Sequence, residues 1–386
     1  MSRGLKTFLL GACALLAIAT TAQATSRFHA LTAFTGPNGA EPGAAPVIDA
    51  DGNLYGTTQF GGSANLGTVY KRAPDGTLTV LTDFAAGGGS RPSTTLLRDA
   101  QGNLFGVTPY DAAGQPGGTL FEIASDGGFH VLYTFVAKSK LGAAPWGGLI
   151  EDEQGNLYGT TAKAVFRFTP GGAMTILHHF SLGNGDGTFP VGELLRDGAG
   201  NLYGATARGG AYDGGTVYKL TPGGTETLLH EFDLRAHQTG SPKGGLVLDA
   251  AGNLYGTTFI GDDNPGSAFK LAPDGTYTIL HDFSGGSDGE SPIGTLAKDA
   301  NGHLFGMTSA GGGARECGTV FQVAPDGRFW TLYRFNDGTT HGARHGCQPE
   351  AGLTIDAAGN LYGTTAQAGV ARGHRAQGVL FRIDAR

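Results

Sequence analysis

The sequence predicts an all-β protein, a seven-bladed β-propeller of four-stranded antiparallel blades, and three observations carry that expectation. A heptapeptide of the Gly-Asn-Leu-Tyr-Gly-Thr-Thr type recurs seven times, from Gly52, Gly102, Gly155, Gly200, Gly252, Gly302 and Gly359, at spacings of 45 to 57 residues, within the range of propeller and solenoid repeats. Ten residues before each glycine stands a proline (Pro42, Pro92, Pro145, Pro190, Pro242, Pro292, Pro349), and three residues before it an aspartate (Asp49, Asp99, Asp152, Asp197, Asp249, Asp299, Asp356). The third observation is that the two chain ends complement each other.

The first 24 residues read as a secretory signal peptide. Arg3 and Lys6 precede an apolar run from Thr7 to Ala19, and Ala22-Gln23-Ala24 supplies small residues for cleavage before Thr25. A competing reading takes Leu10-Gly11-Ala12-Cys13 as a lipobox, but only four hydrophobic residues would precede that cut. The run is shorter than the ~20 residues a spanning helix needs, so the mature chain, 25–386, is expected to carry no transmembrane segment.

Each repeat reads as four short strands. Strand a follows the proline, as in Lys243 to Asp249, where a residue without an N–H suits the strand's first position. A D-x-x-G-N turn leads to strand b, as in Asn253 to Thr258, since aspartate can bond the turn backbone and glycine tolerates positive φ. Strand c is the type of Gly67 to Lys71, Gly215 to Lys219 and Gly318 to Gln322; Pro-Asp-Gly turns such as Pro74-Asp75-Gly76 and Pro325-Asp326-Gly327 lead to strand d, as in Thr278 to Phe283. No mature stretch shows helical periodicity.

The chain closes on a strand c, Gly378 to Ile383, and lacks the strand d due next. Phe28 to Phe34 matches Phe129 to Phe135 and Tyr277 to Phe283. The N-terminal strand 28–34 is therefore expected to complete the C-terminal blade 350–383. A closed ring uses that split and a linear solenoid does not.

Composition supports a turn-rich repeat fold and narrows the partners. The chain has 69 glycines and 17 prolines at periodic positions, which argues for tight turns and against disorder. Without Arg3 and Lys6, the remaining 24 basic residues face 33 acidic ones, with no basic cluster. Nucleic acid and anionic membrane surfaces are excluded as expected partners.

The repeated GNLYGTT and GTVYKL/GTVFQV segments, the PDGT turns and the ending Leu280-His281-Asp282-Phe283 resemble the GloVer (Gloeo_Verruco) tandem-repeat family over essentially the whole mature chain. The resemblance implies an exported bacterial protein and brings no established activity. Its members carry different C-terminal sorting signals. This chain ends at Asp384-Ala385-Arg386 without a sorting motif or hydrophobic tail.

In a four-stranded blade the b–c and d–a loops share one face of the ring. These loops vary in length, from Asn336 to Gln348 and Ala366 to Gln377 down to a two-residue link near Ala162-Lys163, whereas the a–b and c–d turns are nearly invariant. Binding groups are expected on the variable face. The residues common to every blade, including the strand-d phenylalanines Phe34, Phe84, Phe135, Phe180, Phe232, Phe283 and Phe335, are expected to be structural.

Candidates are the residues that break the pattern beside the channel mouth: Trp146, Lys243 and Glu350 where other units carry small or aliphatic residues, with Arg91, Glu41, His341 and His345 on the same rim. The Trp146 indole, next to the shortest b–c link, reads either as a platform for a sugar ring or as a plug in the channel. Cys317 and Cys347 fall on the same face in adjacent loops and are expected to form a disulfide in an oxidising compartment.

Catalytic patterns dissolve on inspection. Gly285-Gly286-Ser287-Asp288-Gly289 fits G-x-S-x-G but lies between strands, not at a strand-to-helix turn. The strand-d histidines His29, His130, His178, His230 and His281 read as scaffold. Gly183 to Gly187, with Asp186, reads as ordinary turn chemistry unless other oxygens converge on it. No metal or cofactor is expected.

The resulting expectation is a monomeric, exported, periplasmic or extracellular module that binds a glycan or protein partner on its d–a/b–c face. The first alternative is a polysaccharide lyase or hydrolase using Glu41, Glu193, Lys243, Glu350 and the His341/His345 pair. The second is a structural part of an envelope assembly.

Overall fold

The computed structural model describes residues 27–181, 185–234, 239–260, 265–313, 316–335, 345–367, 370–371, 374–375 and 377–385. The segment expected to be a leader, with Cys13, and His341 lie outside the described residues. Among those described there is no α-helix, and seven antiparallel sheets of the predicted kind form a ring.

Blades 1 to 6 run a-b-c-d outward from the channel. Blade 5, for instance, is built from Gly240–Pro242 and Val247–Leu248, then Leu254–Ile260, Ser267–Leu271 and Tyr277–Asp282. Blade 7 takes Thr354–Ile355, Leu361–Thr365 and Val379–Ile383 from the C-terminus and Phe28–Ala33 from the N-terminus. The two ends pair antiparallel from Phe28↔Ile383 to Ala33↔Val379.

Strand a is continuous in blades 4 and 6, Gly187–Arg196 and Glu290–Lys298, but differs from the expected continuous strand in blade 5. In blade 5 its ladder covers Gly240–Pro242, breaks, and resumes at Val247–Leu248. The break falls where inner strands of neighbouring blades touch backbone to backbone: a Cβ on Gly244 would lie 2.1 Å from Gly294 O, and one on Gly245 would lie 2.7 Å from Glu193 O. Lateral packing around the channel displaces ladder pairing there, and glycine is what permits the approach.

The other repeated residues have specific partners. The strand-b glycine of every repeat lies under the strand-c aromatic; a Cβ on Gly56 would meet Tyr70 Oη at 2.4 Å, and one on Gly106 would meet Phe121 Cζ at 2.4 Å. The strand-d phenylalanines fill seven separate cores between blades. Phe232, for example, packs with Val217 of its own blade and Leu246, Leu254, Phe269 and Leu271 of the next. Each blade seals itself only by covering its neighbour, so the ring is stable as a whole.

The aspartate of each D-x-x-G-N turn gathers the turn around one carboxylate. Asp249 Oδ1 accepts from the N–H groups of Ala251 and Asn253, and Oδ2 accepts from Asn253 Nδ2 at 2.8 Å and the Tyr255 hydroxyl at 3.0 Å. In blade 6 His303 replaces the asparagine and bonds Asp299 through Nδ1 at 2.8 Å. Burial raises these carboxyl pKa values, but the donated hydrogen bonds outweigh it, so Asp49, Asp152, Asp197, Asp249, Asp299 and Asp356 all sit below the ordinary value.

A group depressed on folding binds fewer protons in the native than in the unfolded state, whose aspartates titrate near ~3.9. The stability from these turns is therefore expected to be complete above about pH 5 and to fall progressively as acid titrates the folded carboxylates. Melting temperature measured from pH 6 to pH 2.5 checks this; a flat profile across that range contradicts it.

Candidate functional site

Between the ends of strands a and b, on the face that carries the d–a and b–c loops, the channel widens into a cavity of about 1210 Å³. Its floor is narrow because the inner strands nearly touch: a Cβ on Gly192 would fall 2.1 Å from Gly245 N, and one on Gly294 would fall 2.1 Å from Gly352 N. The wall contains Gln59, Trp146, Phe189, Glu193, Lys243 and Glu350.

Two exposed aromatic side chains from adjacent blades stand at the mouth. Trp146 is 40% exposed and meets Tyr110 edge-on at 5.5 Å. Phe189 is 53% exposed and immediately precedes Pro190. Outside the lining, the Arg91 guanidinium lies over both Phe60 (4.9 Å) and Tyr110 (5.2 Å), so Phe60, Arg91, Tyr110 and Trp146 form one continuous row of contacts along the rim. Lys243 lies over Phe259 at 5.5 Å.

The repeated proline explains how the rim is held. The residue before it has positive φ in every blade: Glu41 (53°), Arg91 (56°), Ala144 (55°), Phe189 (56°), Ser241 (54°), Ser291 (55°) and Gln348 (56°). Seven non-glycine residues in that region are strained unless the surroundings fix them. At Glu41, Arg91, Ala144, Ser241, Ser291 and Gln348 the fixing bond is an N–H donated to the preceding blade, as from Glu41 to Gln377 O at 2.6 Å and from Arg91 to Leu66 O at 2.9 Å.

Three ionisable groups in the cavity, Glu350, Glu193 and Lys243, are biased toward their neutral forms. Burial raises Glu350, its bond from Gln59 Nε2 (2.8 Å) opposes that, and the charge of Glu41 adds to the rise. Burial raises Glu193 against a hydrogen bond with Thr95. Burial lowers Lys243, and neighbouring Arg208 lowers it further. The three groups have separate neighbours: Thr95 at Glu193, Arg208 at Lys243, and Gln59 and Glu41 at Glu350.

Of the candidates read from sequence, Trp146, Lys243 and Glu350 come together in the cavity, as does Glu193. Glu41 and Arg91 sit at the pre-proline rim positions outside the lining. His345 does not reach the mouth: its Nδ1 is hydrogen-bonded to the Tyr333 hydroxyl and its ring stacks on Phe28 at 4.4 Å, against the closing strand. His341 lies outside the described residues. Phe189, Phe259 and Arg208 were not anticipated. Phe189 had a readable signal, being the one aromatic residue at the pre-proline position.

The disulfide joins Cys317 to Cys347 across 30 residues, with Cα atoms 4.5 Å apart. Near the G-x-S-x-G segment, the Ser284 hydroxyl and His281 Nε2 both bond Asp288, while Ser287 contributes its carbonyl to Arg334 Nε. That arrangement ties a loop together and provides no serine activated by a base.

The model of the Gloeobacter/Verrucomicrobia repeat matches residues 17–197 and 191–386. No curated protein matches the chain. Among solved structures, a streptogramin B lyase superposes with a TM-score of 0.64 at 12% identity, covering 94% of this chain and 98% of that one. The extracellular domain of BT3049 from B. thetaiotaomicron gives 0.58 at 14% identity, covering 93% of this chain and 41% of that one. The extracellular domain of BT4673 from the same organism gives 0.61 at 9%, covering 93% and 40%. This chain thus spans about two fifths of the length of the latter two extracellular domains. At these identities the likeness concerns the fold alone.

Proposed function

The chain belongs to the Gloeobacter/Verrucomicrobia repeat family, and from that premise we propose that it is an exported binding module that holds a glycan at the mouth of its channel. The observation that carries the reading is the pair of exposed aromatic side chains, Trp146 and Phe189, on one wall of a cavity of about 1210 Å³. A sugar ring presents an apolar face that stacks on such side chains and hydroxyls that need a few polar partners. Gln59, Ser93, Thr95 and Glu350 line the same space and supply them. Export is supported by the leader and by the Cys317–Cys347 bond, which an oxidising compartment maintains. Two solved propellers of similar fold are extracellular domains.

The enzymatic alternative has one observation in its favour: Glu193, with a raised pKa, and Lys243, with a lowered one, line one cavity. Fold does not decide between binding and catalysis. A glycan array and polysaccharide pull-downs with the mature protein, with products read by mass spectrometry, separate the two. Retention without cleavage is expected, and Trp146→Ala and Phe189→Ala should each weaken it by about tenfold or more, the value of one lost aromatic contact. Trp330→Ala, beside the a–b turn residues Asp299 and Asp356 on the opposite face, should leave it unchanged. Cleavage products would establish the enzyme, and no retention on any glycan would refute the proposed ligand class.

A further inference from the structure

Outside the lining of the cavity, at the seam between blades 3 and 4, three potential ligand groups converge from separate segments. His178 lies on strand d of blade 3, Met174–His179. Asp186 precedes strand a of blade 4, Gly187–Arg196. Glu226 begins strand d of blade 4, Glu226–Glu231. One nitrogen and two carboxylate oxygens lie within 4.8 Å of one another.

Glu226 departs from the repeat. The first residue of strand d is Phe28, Leu78, Phe129, Met174, Tyr277 or Phe329 in the other blades. At two seams it stacks on the preceding blade's histidine: Tyr277 on His230 at 4.3 Å and Phe329 on His281 at 3.5 Å. At the seam of blades 3 and 4 a carboxylate takes the place of that ring, and its interactions are incomplete. His178 Nε2 and Glu226 Oε1 are buried without a hydrogen-bond partner, a state that polar atoms avoid unless something else satisfies them.

We propose that His178, Asp186 and Glu226 bind one divalent transition-metal ion, best matched by Zn²⁺, which fastens blade 3 to blade 4. His178 Nε2 is 3.7 Å from Asp186 Oδ2 and 3.5 Å from Glu226 Oε2. In a tetrahedral site with metal–ligand distances of about 2.0–2.2 Å, ligand atoms stand about 3.3–3.6 Å apart, so small side-chain shifts complete the geometry. Imidazole selects zinc and its transition-metal neighbours over calcium or magnesium. The side chains are 15%, 14% and 13% exposed, which leaves an approach for the ion and a coordination position for water.

The test uses chelator-treated mature protein titrated with Zn²⁺ by calorimetry and with Co²⁺ by visible absorption. One saturable equivalent is expected, with a rise in Tm of about 3 °C when free Zn²⁺ is a hundredfold above its Kd. His178→Ala and Glu226→Gln should each weaken binding by more than about 100-fold, beyond the usual effect of losing an outer-shell partner. His281→Ala, the equivalent histidine of blade 5, should bind as the parent does. Absence of a 1:1 site for either ion, or undiminished binding in Glu226→Gln, overturns the proposal. Glu226→Gln retains the side-chain shape and decides the matter if His178→Ala does not fold.

Discussion

A chain that begins after Phe34 is expected to be recovered as aggregate or as chain-exchanged oligomer, without the cooperative melting of the intact ring. Strand Phe28–Ala33 is the outer strand of blade 7, and its removal leaves Val379–Ile383 as an unpaired edge, an open template for association. The strand also supplies core. Phe34 is 0% exposed, packed with Leu54 and Tyr70 of blade 1 and with Tyr362 and Leu380 of blade 7. Phe28 stacks on Tyr333 at 4.5 Å and Phe381 at 5.3 Å, sealing blade 6 against blade 7. Deleting one buried phenylalanine typically costs about 3–5 kcal/mol; Phe34 is one, and the loss of half-buried Phe28 adds to it, a large part of the stability of an ordinary domain, about 5–15 kcal/mol. Size-exclusion chromatography and calorimetry of the shortened chain check this, with a peptide spanning residues 25–36 added in trans as a rescue. A shortened chain that stays monomeric and melts as the parent does would show that the ring does not depend on its closure.

The same strand shows what a sequence of this kind reveals. A repeat places equivalent residues at fixed offsets, so the prolines, aspartates, aromatic residues and missing strand could be assigned before any contact was seen. The break in strand a was not readable, because it arises from glycines of different blades meeting across the channel. The candidate site was partly legible: Trp146, Lys243 and Glu350 break the pattern at a position that the fold brings to one mouth. His345 breaks it equally, yet its aromatic neighbours draw it into the closing seam. Glu226 is a similar departure, but its meaning depends on lateral register with His178 and Asp186, and spacing along the chain carries no such information.

The second large effect is expected at the disulfide. Cys317 and Cys347 span strands c and d of blade 6, Thr319–Val323 and Phe329–Arg334, and the link into blade 7. Closing a loop of 30 residues lowers the entropy of the unfolded chain by an amount worth about 3–4 kcal/mol in the loop-entropy model. The Cys317→Ser/Cys347→Ser double variant should therefore melt about 4–5 °C lower for a chain of this length. Backbone bonds compete with that account: Gln348 N–H donates to Cys317 O at 3.0 Å, and Cys347 exchanges bonds of 2.9 and 3.0 Å with Gln367. They act on the folded state, however, whereas the crosslink restricts the unfolded one, so the two contributions add and the drop in Tm should persist. A double variant melting within 1 °C of the parent would show that the unfolded chain already holds these residues together. Protein made in a reducing cytosol gives a second measurement, since it should melt like the double variant until oxidation closes the bond. The same recovery would tie full stability to an oxidising environment.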